Sequence, residues 1–325
     1  MRNVAEDSSW MRAAIALGQE ARGRTAPNPN VGCVLVREGR EVGRGSTQRG
    51  GRPHAEYVAL QEAGDAAAGA TAYVTLEPCA HRSERGPSCA DILAAAGVAR
   101  VVAALRDPDP RTDGAGFESL RSADIEVQVS LGADEAERSL AGFLTRLRLG
   151  RPFITLKLAL SLDGRIALPS GESRWITGEE ARLDVHLERA RADMILVGRG
   201  TLEADDPMLD VRIEGLEDRS PRRAVLGRGP APPGWTALAA PEAAFELGDV
   251  NDLLIEGGAG AAAAFLRADL VDRMLLYRAP IVIGEGKAAL GDIGLNSLAE
   301  AHGRWRLSES RRLGIDTLEV YERVR

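Results

Sequence analysis

Aromatic side chains make up only 4% of this 325-residue chain, and cysteine occurs three times. Few aromatics leave little to stack on nucleic-acid bases. A net charge of -7, with a sequence pI near 5.4, gives no general attraction for phosphate backbones or anionic lipid. Three cysteines are an odd number with no small-scaffold spacing, so they argue against a disulfide framework and for a reducing compartment with a metal site. No apolar run approaches the roughly 20 residues of a membrane helix. The opening stretch MRNVAEDSSWMRAAIALGQEARG has acids near its start and no long apolar block, unlike a secretory signal. These absences predict a cytoplasmic chain without nucleic-acid or membrane partners, in which any anionic ligand is held by a few local arginines.

Apolar residues at 44% and charged residues at 27% are ordinary for a globular protein, and the length suits two domains. Trp10, Met11, Ala14, Ile15 and Leu17 recur at helical spacing and predict a helix over 8–22. Val31–Val36 and Glu41–Arg44 flank a turn and predict a hairpin. A helix over His54–Ala63 with Pro53 at its start, a strand at Thr71–Leu76, a helix over Ser88–Ala96, strands at Val98–Leu105 and Ile125–Val129, and one helix over 133–148 complete this half. Strands alternating with helices predict an α/β layered fold with a mixed sheet. Leu149-Gly150-Arg151-Pro152 reads as the joint, giving domains 1–149 and 150–325. The second half predicts a strand at Phe153–Leu160, a helix over 178–191, strands at Met194–Val197 and Asp252–Ile255, a helix over 260–268 and two or three final strands. The Gly/Pro/Ala-rich stretch 227–250 reads as loops with at most one short strand.

The chemistry concentrates in Pro53-His54-Ala55-Glu56, Pro78-Cys79 and Cys89. A His-x-Glu at a helix start followed by cysteines after a strand is the signature of zinc deaminases. One imidazole and two thiolates leave a fourth tetrahedral position for water, which zinc acidifies, and Glu56 is placed as proton shuttle. The usual Cys-x-x-Cys is absent, since Cys89 follows Cys79 by ten positions, and His81 competes with Cys89 as a ligand. Cys33, mid-strand, reads as a small core residue. In the second half, Glu256-Gly257-Gly258 between a strand and a helix is either a phosphate cradle or a tight turn. It is not the GxGxxG of a Rossmann fold. Arg189 lies on a helix rich in charge, and His186 on the same helix reads as a surface or packing residue.

Asn28-Pro29-Asn30-Val31-Gly32-Cys33-Val34, Pro53-His54-Ala55-Glu56 and Thr75-Leu76-Glu77-Pro78-Cys79 resemble the deaminase half of the bifunctional riboflavin-biosynthesis deaminase–reductases. Ser161-Leu162-Asp163-Gly164-Arg165, Gly171 to Thr177 and Ala204-Asp205-Asp206-Pro207-Met208-Leu209 resemble the reductase half. The resemblance spans nearly the whole chain. It implies a cytidine-deaminase-like α/β/α sandwich followed by an α/β domain similar to dihydrofolate reductase. In that family a longer insert separates the zinc cysteines, which implies zinc at His54, Cys79 and Cys89 with Glu56 as catalyst, and a pyrimidine held by Asn28 and His81. The same matching implies an NADPH site lined by Ala159, Trp175, Thr201, Asp205 and Gly258, Ala259, Gly260, Ala261, Ala262, Ala263 and Ala264. It implies a phosphorylated ribosyl substrate against Ser173, Arg189, Leu209, Arg212 and Glu256, and a homo-oligomer.

The chain departs from the family in four places. Its insert is one residue longer than usual and lacks the Gly-Arg-Thr-Pro-Pro run, and Thr47 replaces a histidine. Gly227-Arg228 stands where Asp-Ser is usual, and the following region is shortened. The last change either trims the adenine side of the cofactor pocket or brings an arginine to the 2′-phosphate of NADPH. The expected activities are hydrolytic deamination of 2,5-diamino-6-ribosylamino-4(3H)-pyrimidinone 5′-phosphate and NADPH reduction of its ribosyl group to ribityl. The alternative is a deaminase whose reductase-like half has lost its chemistry.

Overall fold

Helix α1 (Val4–Ala21) buries Met11, Ala14, Ile15, Gly18 and Ala21 along one stripe. It starts a turn earlier than its apolar spacing predicts because Glu6 and Asp7 occupy the first turn, where carboxylates suit the helix dipole. Asp7 is also buried, taking two bonds from Arg100 (3.1 and 2.8 Å) and one from the Tyr73 hydroxyl. The computed structural model describes residues 4–81 and 86–325, so the middle of the insert between Cys79 and Cys89 lies outside the described residues. By its internal contacts the chain forms two units, Met1–Gly150 and Arg151–Arg325.

In the first unit β1 (Gly32–Arg37), β2 (Arg40–Ser46), α2 (Ala55–Ala63), β3 (Thr71–Val74), α3 (Cys89–Ala95), β4 (Arg100–Ala103), α4 (Ala115–Ser122), β5 (Glu126–Val129), α5 (Ala133–Ser139) and α6 (Ala141–Leu149) follow α1. The sheet order is β2-β1-β3-β4-β5, antiparallel across β2, β1 and β3 and parallel from β3 to β5. Alternation along the strands divides the core in two. Val34, Val36, Tyr73 and Val102 meet α1 on one face, while Cys33, Leu35, Val74 and Val101 meet α2, α3 and α4 on the other. This is an α/β/α sandwich with a mixed sheet.

Three local readings differ from the structure. Pro53 precedes α2 instead of opening it, because His54 is the N-cap, with extended backbone. The single helix expected over 133–148 breaks at the buried Leu140, next to Ser139, whose carbonyl accepts a bond from Asn30 Nδ2 (3.2 Å) and is drawn from the helical ladder. Helix α4 was not expected, since Asp113-Gly114-Ala115-Gly116 looks like a turn, and its N-terminus is held by a carboxylate 39 residues earlier.

The second unit contains β6 (Phe153–Leu160), β7 (Arg165–Ala167), α7 (Glu179–Ala190), β8 (Met194–Gly198), α8 (Arg199–Asp205), β9 (Arg222–Leu226), β10 (Trp235–Leu238), β11 (Asp252–Glu256), α9 (Ala259–Arg267), β12 (Arg273–Arg278), β13 (Lys287–Ala288), β14 (Trp305–Leu313) and β15 (Asp316–Arg323). Eight of these strands form a sheet in the order β10-β9-β8-β11-β6-β12-β15-β14. From β10 to β12 all neighbours are parallel, and β15 and β14 add an antiparallel edge. The carboxyl ends of β8, β9 and β11 therefore point the same way, the usual place for a ligand in such a sheet. Four strands follow α9 where two or three were expected; the extra one, β13, has two residues and pairs with β7. Among the described residues no helix is long and apolar enough to cross a membrane.

Candidate functional sites

Two helix starts and one loop assemble the first site. His54 is the N-cap of α2 but makes no capping bond with its side chain, which leaves the imidazole free. Cys89 is the first residue of α3, behind Ser88, whose hydroxyl accepts the Asp91 N–H (3.1 Å). Cys79 lies in the loop after β3. His54 Nδ1 is 3.2 Å from Cys89 Sγ and 3.7 Å from Cys79 Sγ, and the Cys89 N–H donates to Cys79 Sγ at 3.3 Å. All three donor atoms fall within 4.8 Å of one another. A cluster of one nitrogen and two sulfurs, with one thiol held well below its ordinary pKa by its neighbour, is the donor set that tetrahedral zinc takes. The residues fit the metal. His81, weighed as a rival, is not among the clustered donors; it is half-buried nearby, with Nδ1 buried and unpartnered among the described residues.

Glu56 is 3% exposed in the first turn of α2, and burial raises its carboxyl above the ordinary range, as suits a group that must both take and give a proton. Asn28 is half-buried beside Gly51. A Cβ at Gly51, whose φ is +88°, would lie 1.9 Å from Asn28 Nδ2, so only glycine leaves room for that amide. Thr47, the histidine replacement, is buried and accepts the Val31 N–H (3.0 Å), bracing the Asn28–Val34 segment. Cys33 is fully buried in β1 within the core.

Two groups of this unit were missed from sequence. Glu77 is buried and accepts the N–H groups of Asp107, Gly114, Gly116 and Phe117 at 2.9 to 3.3 Å, so one carboxylate shapes the loop that faces the site. Asp107 is buried on that loop, and burial pushes its carboxyl up to about 7. The only sequence signal for either was an acid beside a Pro-Cys or Asp-Pro turn.

The second site is a cavity of about 1290 Å³ at the carboxyl ends of the parallel strands. Ala159, Trp175, Thr201, Asp205, Gly258, Ala259, Gly260 and Ala261 all line it, as do Ser173, Arg189, Leu209, Arg212 and Glu256. Ala262, Ala263 and Ala264 do not: Ala262 packs in the core, Ala263 is buried against Gly291, and Ala264 is half-buried further along. The Gly258 N–H is taken by Thr201 Oγ1 (3.1 Å), which ties the start of α9 to α8.

At the cavity's base Arg189 grips Glu256 through two bonds (2.6 and 2.9 Å) and donates a third to the Asp210 carbonyl (2.9 Å). Lys157, on β6, was not singled out from the sequence, yet its ammonium is 3.7 Å from Glu256 Oε2 in the same cavity. Burial pushes the Lys157 pKa down, and although burial alone would raise Glu256, Lys157 and Arg189 hold it below the usual range. His186 Nδ1 lies 3.1 Å from the Asp210 carbonyl oxygen and 3.3 Å from the Arg212 nitrogen, supporting the 210–212 turn while the residue also lines the cavity.

Comparison with known proteins matches one family model to each half of the chain. The family model of the cytidine and deoxycytidylate deaminase zinc-binding region matches residues 4–105, and that of the RibD C-terminal domain matches 152–318. The chain is 42% identical to the riboflavin biosynthesis protein RibD of Escherichia coli over 96% of its own length and 98% of the relative's. It superposes on RibD of Acinetobacter baumannii with a TM-score of 0.88 at 36% identity, covering 99% and 100% of the two chains. A Thermotoga maritima protein, described as a diaminohydroxyphosphoribosylaminopyrimidine deaminase/5-amino-6-(5-phosphoribosylamino)uracil reductase, gives a TM-score of 0.90 at 29% identity with the same coverage.

Proposed function

This chain belongs to the family of bifunctional riboflavin-biosynthesis deaminase–reductases, and from that premise we propose how its own residues divide the two reactions. Residues 1–149 carry the deamination of 2,5-diamino-6-ribosylamino-4(3H)-pyrimidinone 5′-phosphate and residues 150–325 the reduction of its ribosyl group. The observation that carries the first assignment is the His54, Cys79 and Cys89 cluster with buried Glu56 beside it. Those three side chains would hold zinc, which when bound would make a water acidic enough to react near neutral pH. Glu56 takes the proton of the attacking water and returns it to the departing amine, so that water is consumed and ammonia released. Asn28 and His81 hold the pyrimidine, the unpartnered His81 Nδ1 being a polar atom that a bound ring would satisfy.

The cavity of the second unit would hold NADPH, which when bound would supply a hydride for the ribosyl C1′. Opening the ribose leaves its ring oxygen in need of a proton. Lys157 is suited to give it, being buried, of lowered pKa and aimed at the cavity by Glu256. Arg189 keeps Glu256 ionised and, with Arg212 and Ser173, faces the phosphorylated sugar; Leu209 packs against it. Ala159, Trp175, Thr201, Asp205 and Gly258 to Ala261 receive the cofactor. The complete cavity supports an active reductase rather than a decayed one. A cytoplasmic location and self-association accompany this reading, and light scattering of the purified protein measures the second.

The test is a coupled assay on zinc-loaded protein, following ammonia release and NADPH oxidation together. Glu56→Gln should slow ammonia release by about 10²–10⁴-fold with the zinc content unchanged, and leave reduction of the deaminated substrate intact. Ammonia release without any NADPH oxidation by the wild type would instead favour a deaminase with an inactive second half.

A further inference from the structure

The cofactor cavity contains a cation that neither the substrate nor the described acids claim. Arg199 opens α8, directly after the carboxyl end of β8, and lines the cavity together with Gly227 at the end of β9. Its Nη1 donates to the Pro230 carbonyl (2.8 Å) and its Nη2 to the Gly229 carbonyl (3.1 Å). The Nε is buried without a partner among the described residues. A guanidinium carries five donors, so three remain after those two bonds. No carboxylate lies within ion-pair distance of Arg199 among the described residues, whereas Arg189 and Lys157 share Glu256.

We infer that Arg199 reads the 2′-phosphate of NADPH and sets the cofactor preference of the second unit. The inference rests on the reductase reading above. A dinucleotide whose pyrophosphate lies at the start of α9 runs, on one side, to the substrate region around Lys157 and Glu256. An adenosine on the other side would meet the ends of β8 and β9, where Arg199 and Gly227 line the cavity. Enzymes that prefer NADH place an acid near the adenosine ribose hydroxyls, and those that prefer NADPH place an arginine there. Here Gly227 leaves space beside Arg199. Its φ is +132°, and a Cβ on it would sit 3.2 Å from the Arg199 Cβ, so a side chain at 227 would crowd the arginine and an acidic one would neutralise it. Arg228, the other candidate for this role, is exposed and does not line the cavity.

The experiment is a binding titration of full-length protein with NADPH and, separately, NADH, followed by fluorescence and by calorimetry. Arg199→Met should weaken NADPH by at least about tenfold, the loss expected for a charge-assisted bond, while NADH binding stays within about threefold of wild type. The dependence of NADPH affinity on salt should flatten. Arg228→Met should leave both affinities unchanged, and Arg199→Lys should restore part of the preference. Equal losses for both cofactors in Arg199→Met would reduce Arg199 to a support for the Gly229–Pro230 loop and overturn the inference, as would a fall confined to Arg228→Met. Wild-type protein that binds neither cofactor would remove the reductase reading itself, and the inference with it.

Discussion

Lys157 shows how burial changes what a residue type can do. An exposed lysine keeps its proton to about pH 10.4 and is a poor acid at neutrality. In the cavity, desolvation lowers that value while Glu256, 3.7 Å away, keeps the ammonium oriented. Because the proposed role requires the protonated form, the reduction rate should fall as pH rises through a value below that of an ordinary lysine. A pH profile of kcat on the deaminated substrate checks this. Lys157→Met should lose the alkaline limb and slow the step by about 10²–10⁴-fold, and an alkaline limb that survives in the variant would assign it to another group. Glu56 follows the same physics with the opposite sign of charge, burial raising a carboxyl toward the range where it both accepts and donates.

At the scale of elements, the first unit depends on the close approach of helices to its sheet. Gly32 in β1 lies so near α1 that a Cβ would fall 1.9 Å from the Ala14 carbonyl oxygen and 2.7 Å from the Gly18 nitrogen. Neither is a side chain that can swing aside. Gly32→Ala should therefore lower the urea midpoint by an amount corresponding to about 1–3 kcal/mol or more. Gly248→Ala, where nothing lies within 4 Å, should stay within about 0.5 kcal/mol. Equal behaviour of the two variants would mean that α1 does not pack as closely as described. The buried Glu77 acts on the same scale: one carboxylate binding four N–H groups anchors α4 and the loop before it, a structure that its own turn-like sequence does not announce.

Over the whole molecule, each unit has its own apolar core, and all three proposed zinc ligands belong to the first. Removing zinc with a chelator should accordingly abolish ammonia release and lower the melting temperature of the first unit. NADPH binding and reduction of the deaminated substrate should persist. Loss of cofactor binding on chelation would show that the metal supports more than its own unit.

Much of this was legible in the linear chain, because some chemistry is local. His54 and Glu56 share one helix start, and the strand-then-cysteine order of Val74 to Cys79 is a local pattern, so the residues that build the metal centre stand out at short range. The run Val31 to Val36 likewise marks a hairpin strand, and Leu149-Gly150-Arg151-Pro152 reads as a joint, next to which the two units divide. What only the tertiary structure decided are the pairings between distant residues. Arg189 meets Glu256 across 67 positions, and Glu77 meets Gly116 across 39. Arg199 reaches the loop at 229–230 through a space that exists because residue 227 has no side chain. Periodicity and capping report how a segment folds on itself. The burial that shifts a lysine's pKa, or leaves an arginine without an acid, depends on which segments the folded sheet brings together.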